Sequence, residues 1–445
     1  MGGNVGKTFV KYVSLNIIGM ITASALVFID AIFISIALGA DGLTAISLTA
    51  PIFSIVFGLG LMLGEGGGSK YAANMAVEKE EKANAFFTLS IKTCLMIAVP
   101  LVVIGLLFAE PLSMFLGADA YIMPEVSAYA RVLLAFSPAI MLYYALESFV
   151  RNDGTPGTAT ISSVILYATN IALNYVFIIL LDLRMLGSGL ATSIAALFAL
   201  GYLLYHWRKK ARFHFAAVFA AGKKRAAIFS IGAPSFLGNI LFGLTILAFN
   251  WVFLQHLGNI GVAAFGIVST LATVVFAIFI GIAQGMQPMA SHFYGKRDAE
   301  NLYKVLKYAI LTGVGFAILF IAAVFLFTEP LVSVLNQEQD MVLAAELAAL
   351  AAGGARIYFI GFVFAGITLA STYFLAATGA PKRALVLSAL QNGGIILFML
   401  ALAYQGGVTG IWASYPTFEL PLALLSLFFL ARVHRMHRRL FFTTC

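Results

Sequence analysis

Charge is scarce in this 445-residue chain: Asp, Glu, Lys and Arg together make up 10% of it, where a soluble globular domain carries about 25%. That scarcity excludes a soluble enzyme or binding module. Cysteine occurs twice, at Cys94 and Cys445, too few for a disulfide framework, and both are expected to be free thiols. Of six histidines, only His434 and His437 are close together; they lie in a basic tail expected to be solvated. No histidine and carboxylate cluster has metal-ligand spacing, and no nucleophile is paired with a base, which weighs against a membrane enzyme. The stretch GLGLMLGEGGGSK at 58–70 lacks the Gly-Lys-Ser/Thr order of a phosphate loop. No cofactor is expected.

Apolar residues are abundant: 61% of the chain is hydrophobic and 39 residues are Phe. A membrane-crossing helix needs about 20 mostly apolar residues. Twelve such runs occur, at 12–38, 43–69, 88–109, 122–149, 158–181, 186–207, 228–256, 261–293, 308–328, 343–377, 384–404 and 409–431. The first is too long for a signal peptide and contains Asp30, and no soluble domain is expected before or after the helices. Lys and Arg collect at alternate loops, from Lys7 and Lys11 through Arg208, Lys209, Lys210, Arg212, Lys223, Lys224 and Arg225 to Arg432, Arg435, Arg438 and Arg439. The positive-inside rule then places both termini of this multi-pass membrane protein in the cytoplasm. This topology accounts for the net charge of +8 without a nucleic-acid partner; the lipid bilayer is the partner.

The chain also repeats itself. FAEPLSMFLG at 108–117 matches FTEPLVSVLN at 327–336, and LGADGLTA at 38–45 matches LGNIGVAA at 257–264, both at a shift of 219. GLATS at 189–193 matches GIWAS at 410–414, and DGTP at 153–156 matches TGAP at 378–381. The expected fold is therefore all-α: twelve transmembrane helices in two six-helix lobes related by a pseudo-two-fold axis along the membrane normal. The lobes span 1–207 and 228–445, joined by a basic cytoplasmic connector at 208–227 whose length would let one lobe rock against the other. Gly60, Gly64 and Gly68, with Gly281 and Gly285 in the second copy, are spaced for close helix packing in lipid.

Ionisable groups at membrane depth are costly and usually functional. Glu147 precedes Arg151 by one helical turn and reads as an ion pair. Glu65 lies among glycines. Glu419 and Arg356 share a depth that suits a buried ion pair. Asp30 shares its depth with Arg131, so an ion pair is its structural alternative, but the repeat position in the second copy, Phe249 or Asn250, has no carboxylate. That asymmetry favours a functional role.

The segments FIDAIFISIALGADGLTAISL, FVRNDGTPGTATI, TNIALNYVFII with GSGLATS, GIAQGMQPMASHFYGKRD and GIWASYPTFELP, in this order within two repeats, resemble the multidrug and toxic compound extrusion (MATE) family of transporters. The resemblance is to the family's bacterial type and implies an inner-membrane, cation-coupled antiporter, using H+ or Na+, that exports amphipathic or cationic organic compounds by alternating access; a monomer is expected. It implies a first-lobe cation site at Asp30, Asn170, Asn174 and Thr192, with Asn174 standing where many members have a second aspartate. Asp30 would take up H+ outside and release it inside, or the four side chains would hold Na+. Leu15 replaces a first-helix proline linked to bending, so any bend there would fall at Gly19 or elsewhere. Substrate would bind between the lobes on aromatic and methionine-rich walls, with Asn239, Gln284 and Gln391 as polar contacts. The nearest rival, a lipid-linked precursor flippase of related architecture, should place more basic residues in its cavity; a polytopic membrane enzyme is a more distant one.

Overall fold

In a computed structural model, the described residues, 4–335 and 341–442, are almost entirely helical. Thirteen α-helices run in chain order: α1 (Val5–Met75), α2 (Glu80–Phe115), α3 (Met123–Ala135), α4 (Ser137–Asn152), α5 (Pro156–Asn174), α6 (Arg184–Lys210), α7 (Ala221–Leu257), α8 (Asn259–Lys296), α9 (Ala299–Leu335), α10 (Met341–Tyr358), α11 (Phe362–Ala377), α12 (Pro381–Ala389) and α13 (Ile395–Phe442). Among the described residues, nine helices are long and apolar enough to cross a bilayer, or ten with the bent pair α3 and α4 counted as one span. The protein is a multi-pass membrane protein.

The longest helices each hold two of the apolar runs. α1 carries the runs at 12–38 and 43–69, and the chain folds back between them. A Cβ on Gly42 would lie 2.8 Å from the Ile34 carbonyl oxygen, although eight residues of straight helix span about 12 Å. Gly261 stands in the same relation to Phe253, at 2.9 Å, and both pairs are related by the repeat shift of 219. In α13 the break is at Gly407, where φ 54° and ψ −138° are accessible only to glycine.

Other irregularities also recur. α2 kinks at Phe108 (φ −125°, ψ 21°) and α9 at Phe327 (φ −124°, ψ 27°), each three residues before a proline that removes a backbone donor. α3 and α4 meet at a 55° bend at Phe136, where the second copy has a 3₁₀ turn at Phe359–Gly361. Each copy has a π-helical stretch in its fifth helix, at Tyr175–Leu180 and Leu390–Gly394. α1 continues through Gly19 without a break.

Contacts group the described residues into two compact units, one holding residues 18–236 and 291–296, the other residues 4–17, 237–290, 297–335 and 341–442. The cuts fall inside α1 and α7, for a reason visible in the glycines. A Cβ on Gly66 would sit 2.1 Å from the Ile228 carbonyl oxygen, fixing the start of α7 within the first unit. One on Gly281 or Gly285 would lie 2.8 Å from the Cα of Ile17 or Val13, fixing the start of α1 within the second. The Gly60, Gly64 and Gly68 row likewise admits α4, with Met141, Ala145 and Asn152 at 2.7–2.9 Å, as its spacing predicts.

The first unit is built around an aromatic cluster that includes Tyr71, Phe87, Phe149 and Phe213. Phe213 belongs to the connector, which is firmly held rather than slack. Arg212 donates from Nε to Asp153 Oδ1 at 3.0 Å and from Nη2 to the Asp153 carbonyl at 2.9 Å, while Tyr71 donates to the same carboxylate at 2.6 Å. The backbone N–H of His214 donates to Asn84, that of Ala216 to Thr88, and Trp207 Nε1 donates to the Phe213 carbonyl. Residues 212–216 are thus fastened to the first unit and α7 starts at Ala221.

The second unit corrects the solvated reading of His437, which is fully buried. Its Nε2 donates to the Thr378 carbonyl at 2.9 Å and its Nδ1 meets the Tyr303 hydroxyl at 2.9 Å; a carbonyl only accepts, which sets the tautomer. His434 packs edge-on against Tyr303. Cys94 is a buried free thiol; Cys445 lies outside the described residues.

Candidate functional site

The first-unit site forms where α1, α5 and α6 meet. Asn170 and Asn174 are one turn apart on α5 and so share a face, just before the π-helical stretch, a feature frequent at functional sites. Asn174 Nδ2 donates to Asp30 Oδ1 at 2.6 Å and to Asn170 Oδ1 at 2.8 Å, and Asn170 Nδ2 donates to Thr192 Oγ1 at 3.1 Å. The structure thus brings Asp30, Asn170, Asn174 and Thr192 into one connected network, with Asn170 and Asn174 buried and Asp30 and Thr192 half-buried.

The network is one hydrogen short. Asp30 Oδ1 and the nearer amide atom of Asn170 are 2.9 Å apart, so Asp30, Asn170 and Asn174 present three polar atoms in mutual contact. With the Asn170 oxygen in that position, Asn174 satisfies two edges of the triangle and the third sets oxygen against oxygen. Turning the Asn170 amide lets its nitrogen donate to Asp30 at 2.9 Å and its oxygen accept from Thr192 at 3.1 Å, but faces it with the Asn174 nitrogen at 2.8 Å. Two nitrogens in contact satisfy nothing. A proton on Asp30, donated to Asn170, closes the triangle; so does a small cation held by the facing oxygens. Asn174 Oδ1 is buried with no partner among the described residues, a further oxygen for a cation.

Asp30 forms no ion pair among the described residues, so its structural alternative fails: Arg131 pairs with Glu110 at 3.6 Å, both half or more exposed. The expected pair of Glu419 with Arg356 is also absent. Arg356 Nε reaches Thr328 Oγ1 at 3.4 Å, while Glu419, fully buried, accepts from Gln391 Nε2 at 3.1 Å. Matching depth does not specify which face of a helix a side chain takes, and this is where the sequence reading failed. Glu147 and Arg151 do pair, at 2.8 Å, and Glu65 accepts a hydrogen bond from Ser235.

Within the second unit, Gln391 and Glu419 line a cavity of about 30 Å³ walled by aromatic rings including Phe249, Phe276, Tyr358 and Tyr415. Gln391 was legible as a polar residue in an apolar run; Glu419 as a cavity residue was not. Gln284, buried on α8, and Asn239, half-buried on α7, do not line it. The second copy does not duplicate the first site: at the repeat positions of Asp30, Asn170 and Asn174 stand Phe249, Ile395 and Met399, all buried.

A polytopic helical protein with duplicated irregularities and a hydrogen-bonded carboxylate cluster at membrane depth has the features expected of a transporter scaffold. The sequence profile of the MatE family matches residues 16–176 and 234–402, so the chain belongs to the MATE family of transporters and is not an enzyme. It is 28% identical over 377 residues to the multidrug export protein MepA of Staphylococcus aureus (strain MSSA476), covering 83% of this chain and 81% of that protein. MepA of Staphylococcus saprophyticus is equally similar, 28% over 373 residues with the same coverage. Among solved structures, a MATE protein in complex with MaL6 superposes with a TM-score of 0.92 at 20% identity over 98% of both chains. An outward-facing multidrug resistance MATE transporter gives 0.91 at 20% identity over 98% of this chain and 97% of that one. A transporter from Pyrococcus furiosus, described as having a binding pocket of reversed polarity, gives 0.87 at 20% identity with the same coverage. These likenesses establish the two-lobed MATE fold.

Proposed function

We propose that this transporter is a cation-coupled antiporter exporting amphipathic or cationic organic compounds by alternating access between lobes 1–207 and 228–445, with both termini cytoplasmic. The observation that carries the coupling is the triangle of Asp30, Asn170 and Asn174, which one added positive charge completes. Entry of H+ or Na+ from outside would complete it, and loss of that ion to the cytoplasm would reopen it. Thr192 orients Asn170 and offers a further oxygen to Na+. The export of organic compounds is supported by the likeness to MepA, and Asn239, Gln284 and Gln391 are the polar contacts proposed for them. The flippase reading is disfavoured because the second-unit cavity is lined by a carboxylate and no Lys or Arg, the wrong polarity for a phosphate.

The test is dye export from everted vesicles with imposed H+ or Na+ gradients. Asp30→Asn, which keeps the size but can neither carry a charge nor exchange a proton, should abolish gradient-driven export at unchanged protein level. Export equal to wild type overturns the coupling role.

A further inference from the structure

We infer that the outward face of the last stretch of α13, with the start of α12, binds an anionic phospholipid, its phosphate held by Arg383 and Arg432 and its acyl chains lying along an apolar stripe. The site is independent of Asp30 and of the transported compound. Within the second unit, Leu420, Leu424, Leu427 and Phe428 are exposed, and Ala431, Arg432 and Arg435 continue the same exposed row. Their spacing of three and four residues puts them on one face of the helix. From Leu420 to Arg432 the helix rises about 18 Å, against about 15 Å for the hydrocarbon of one leaflet. The stripe is one leaflet long and ends in cations.

Those cations are held in place and unanswered by the protein. The Arg432 guanidinium lies over the Phe428 ring, 4.5 Å from its centroid, and that of Arg383 lies over the neighbouring Phe429 ring at 5.9 Å. A guanidinium stacked on a ring face keeps its donor edge for a second partner. No ion pair among the described residues includes Lys382, Arg383, Arg432 or Arg435, and Arg383 Nη1 is buried without a hydrogen-bond partner there. Lys382 and Arg383 also fall in the first turn of α12, where the helix dipole disfavours a cation and favours an anion. A phosphodiester answers each of these: it carries one negative charge and accepts the two-pronged donor edge that arginine presents. The stripe decides between a lipid and a free anion. Free phosphate must be captured from water at every encounter, whereas a headgroup whose chains already cover Leu424 and Leu427 is presented to the arginines continuously.

The test is native mass spectrometry of the full-length protein in detergent, with dioleoyl phosphatidylglycerol or dioleoyl phosphatidylcholine added at equal concentration. One phosphatidylglycerol per chain is expected to stay bound, about thirtyfold more tightly than phosphatidylcholine, the effect of two basic side chains at an anionic surface. Arg432→Gln, at an exposed position, should lower that preference about fivefold, and Arg383→Gln combined with it should abolish the preference. Lys79→Gln with Lys82→Gln removes the same charge from exposed positions at the start of α2 and should leave the preference unchanged. An equal loss in that control, or an undiminished preference after Arg432→Gln, overturns the site; the exposed single variant carries the test if the double variant does not fold. Displacement of phosphatidylglycerol by excess inorganic phosphate would mark a free-anion site, and a dimer of chains in place of the lipid would mark a protein interface. Either result also overturns the proposal.

Discussion

Asp153 and Thr378, 225 positions apart in the two repeats, offer the same backbone carbonyl to a side chain from beyond the sixth apolar run of their copy: Arg212 Nη2 at 2.9 Å in one and His437 Nε2 at 2.9 Å in the other. Each carbonyl precedes a glycine with positive φ, Gly154 or Gly379, where the chain leaves its fourth helix. The chemistry changed between copies while the contact persisted.

Removing either clasp leaves buried polar groups unpaired, at about 1–3 kcal/mol for each group. Asp153→Ala strands Tyr71, and His437→Phe strands the Thr378 carbonyl and Tyr303. Both variants should show a lower Tm in detergent, read by thermal unfolding. Lys79→Ala, at an exposed loop position, should not.

The helix contacts through glycine should be intolerant in a position-specific way. Gly66→Ala drives a methyl group into the Ile228 backbone at 2.1 Å, which cannot yield as a flexible side chain would, so a loss of about 3 kcal/mol or more is expected. Gly201→Ala on α6 meets nothing within 4 Å and should be neutral, or stabilising by about 0.4–1 kcal/mol. Yields of monodisperse protein and Tm compare the two.

Glu147 and Arg151 form a buried pair, so breaking it from one side is costly. Arg151→Met should destabilise by about 3–5 kcal/mol, and adding Glu147→Met should recover a large part of that loss. A double-mutant cycle on unfolding free energies measures the coupling; a double variant as unstable as the sum of the singles contradicts it.

Asn174→Asp introduces the second carboxylate that many family members have. Two facing carboxyl groups cannot both remain charged without a compensating cation, so export should become more sensitive to sodium than in wild type. Dye export with and without sodium, at fixed pH gradient, reads the change. Equal sodium response in the two proteins argues against Asn174 as a cation ligand.

Much of the architecture was written in the residue pattern. Apolar runs of membrane length and the FAEPL/FTEPL repeat were enough to anticipate an all-helical membrane protein of two lobes, because in lipid hydropathy dominates every other term. Asp30 was legible for the same reason: one carboxylate in an apolar run is conspicuous. Its partners came from the family resemblance, since spacing along α5 puts Asn170 and Asn174 on one face but cannot say that α1 lies against it. Pairing at a distance was the weak point. Arg131 and Arg356 have the right depth for Asp30 and Glu419, yet depth leaves the angle about the helix axis undetermined. His437 looked solvated because its neighbours are arginines, and only the packing of Tyr303 and Thr378 shows otherwise.

The polar ring at Asp30 is an odd-membered one, and parity decides its behaviour. Donors and acceptors alternate around an even ring and close it by themselves; around three atoms they cannot, so the ion state and the direction in which the Asn170 amide points become a single variable. An amide at position 30 cannot close the ring either, because its nitrogen donates without accepting and its oxygen accepts without donating; Asp30→Asn leaves three single-role atoms whose state no arriving or departing proton can change. Such a protein should keep its fold and lose the step that ties its cycle to an ion.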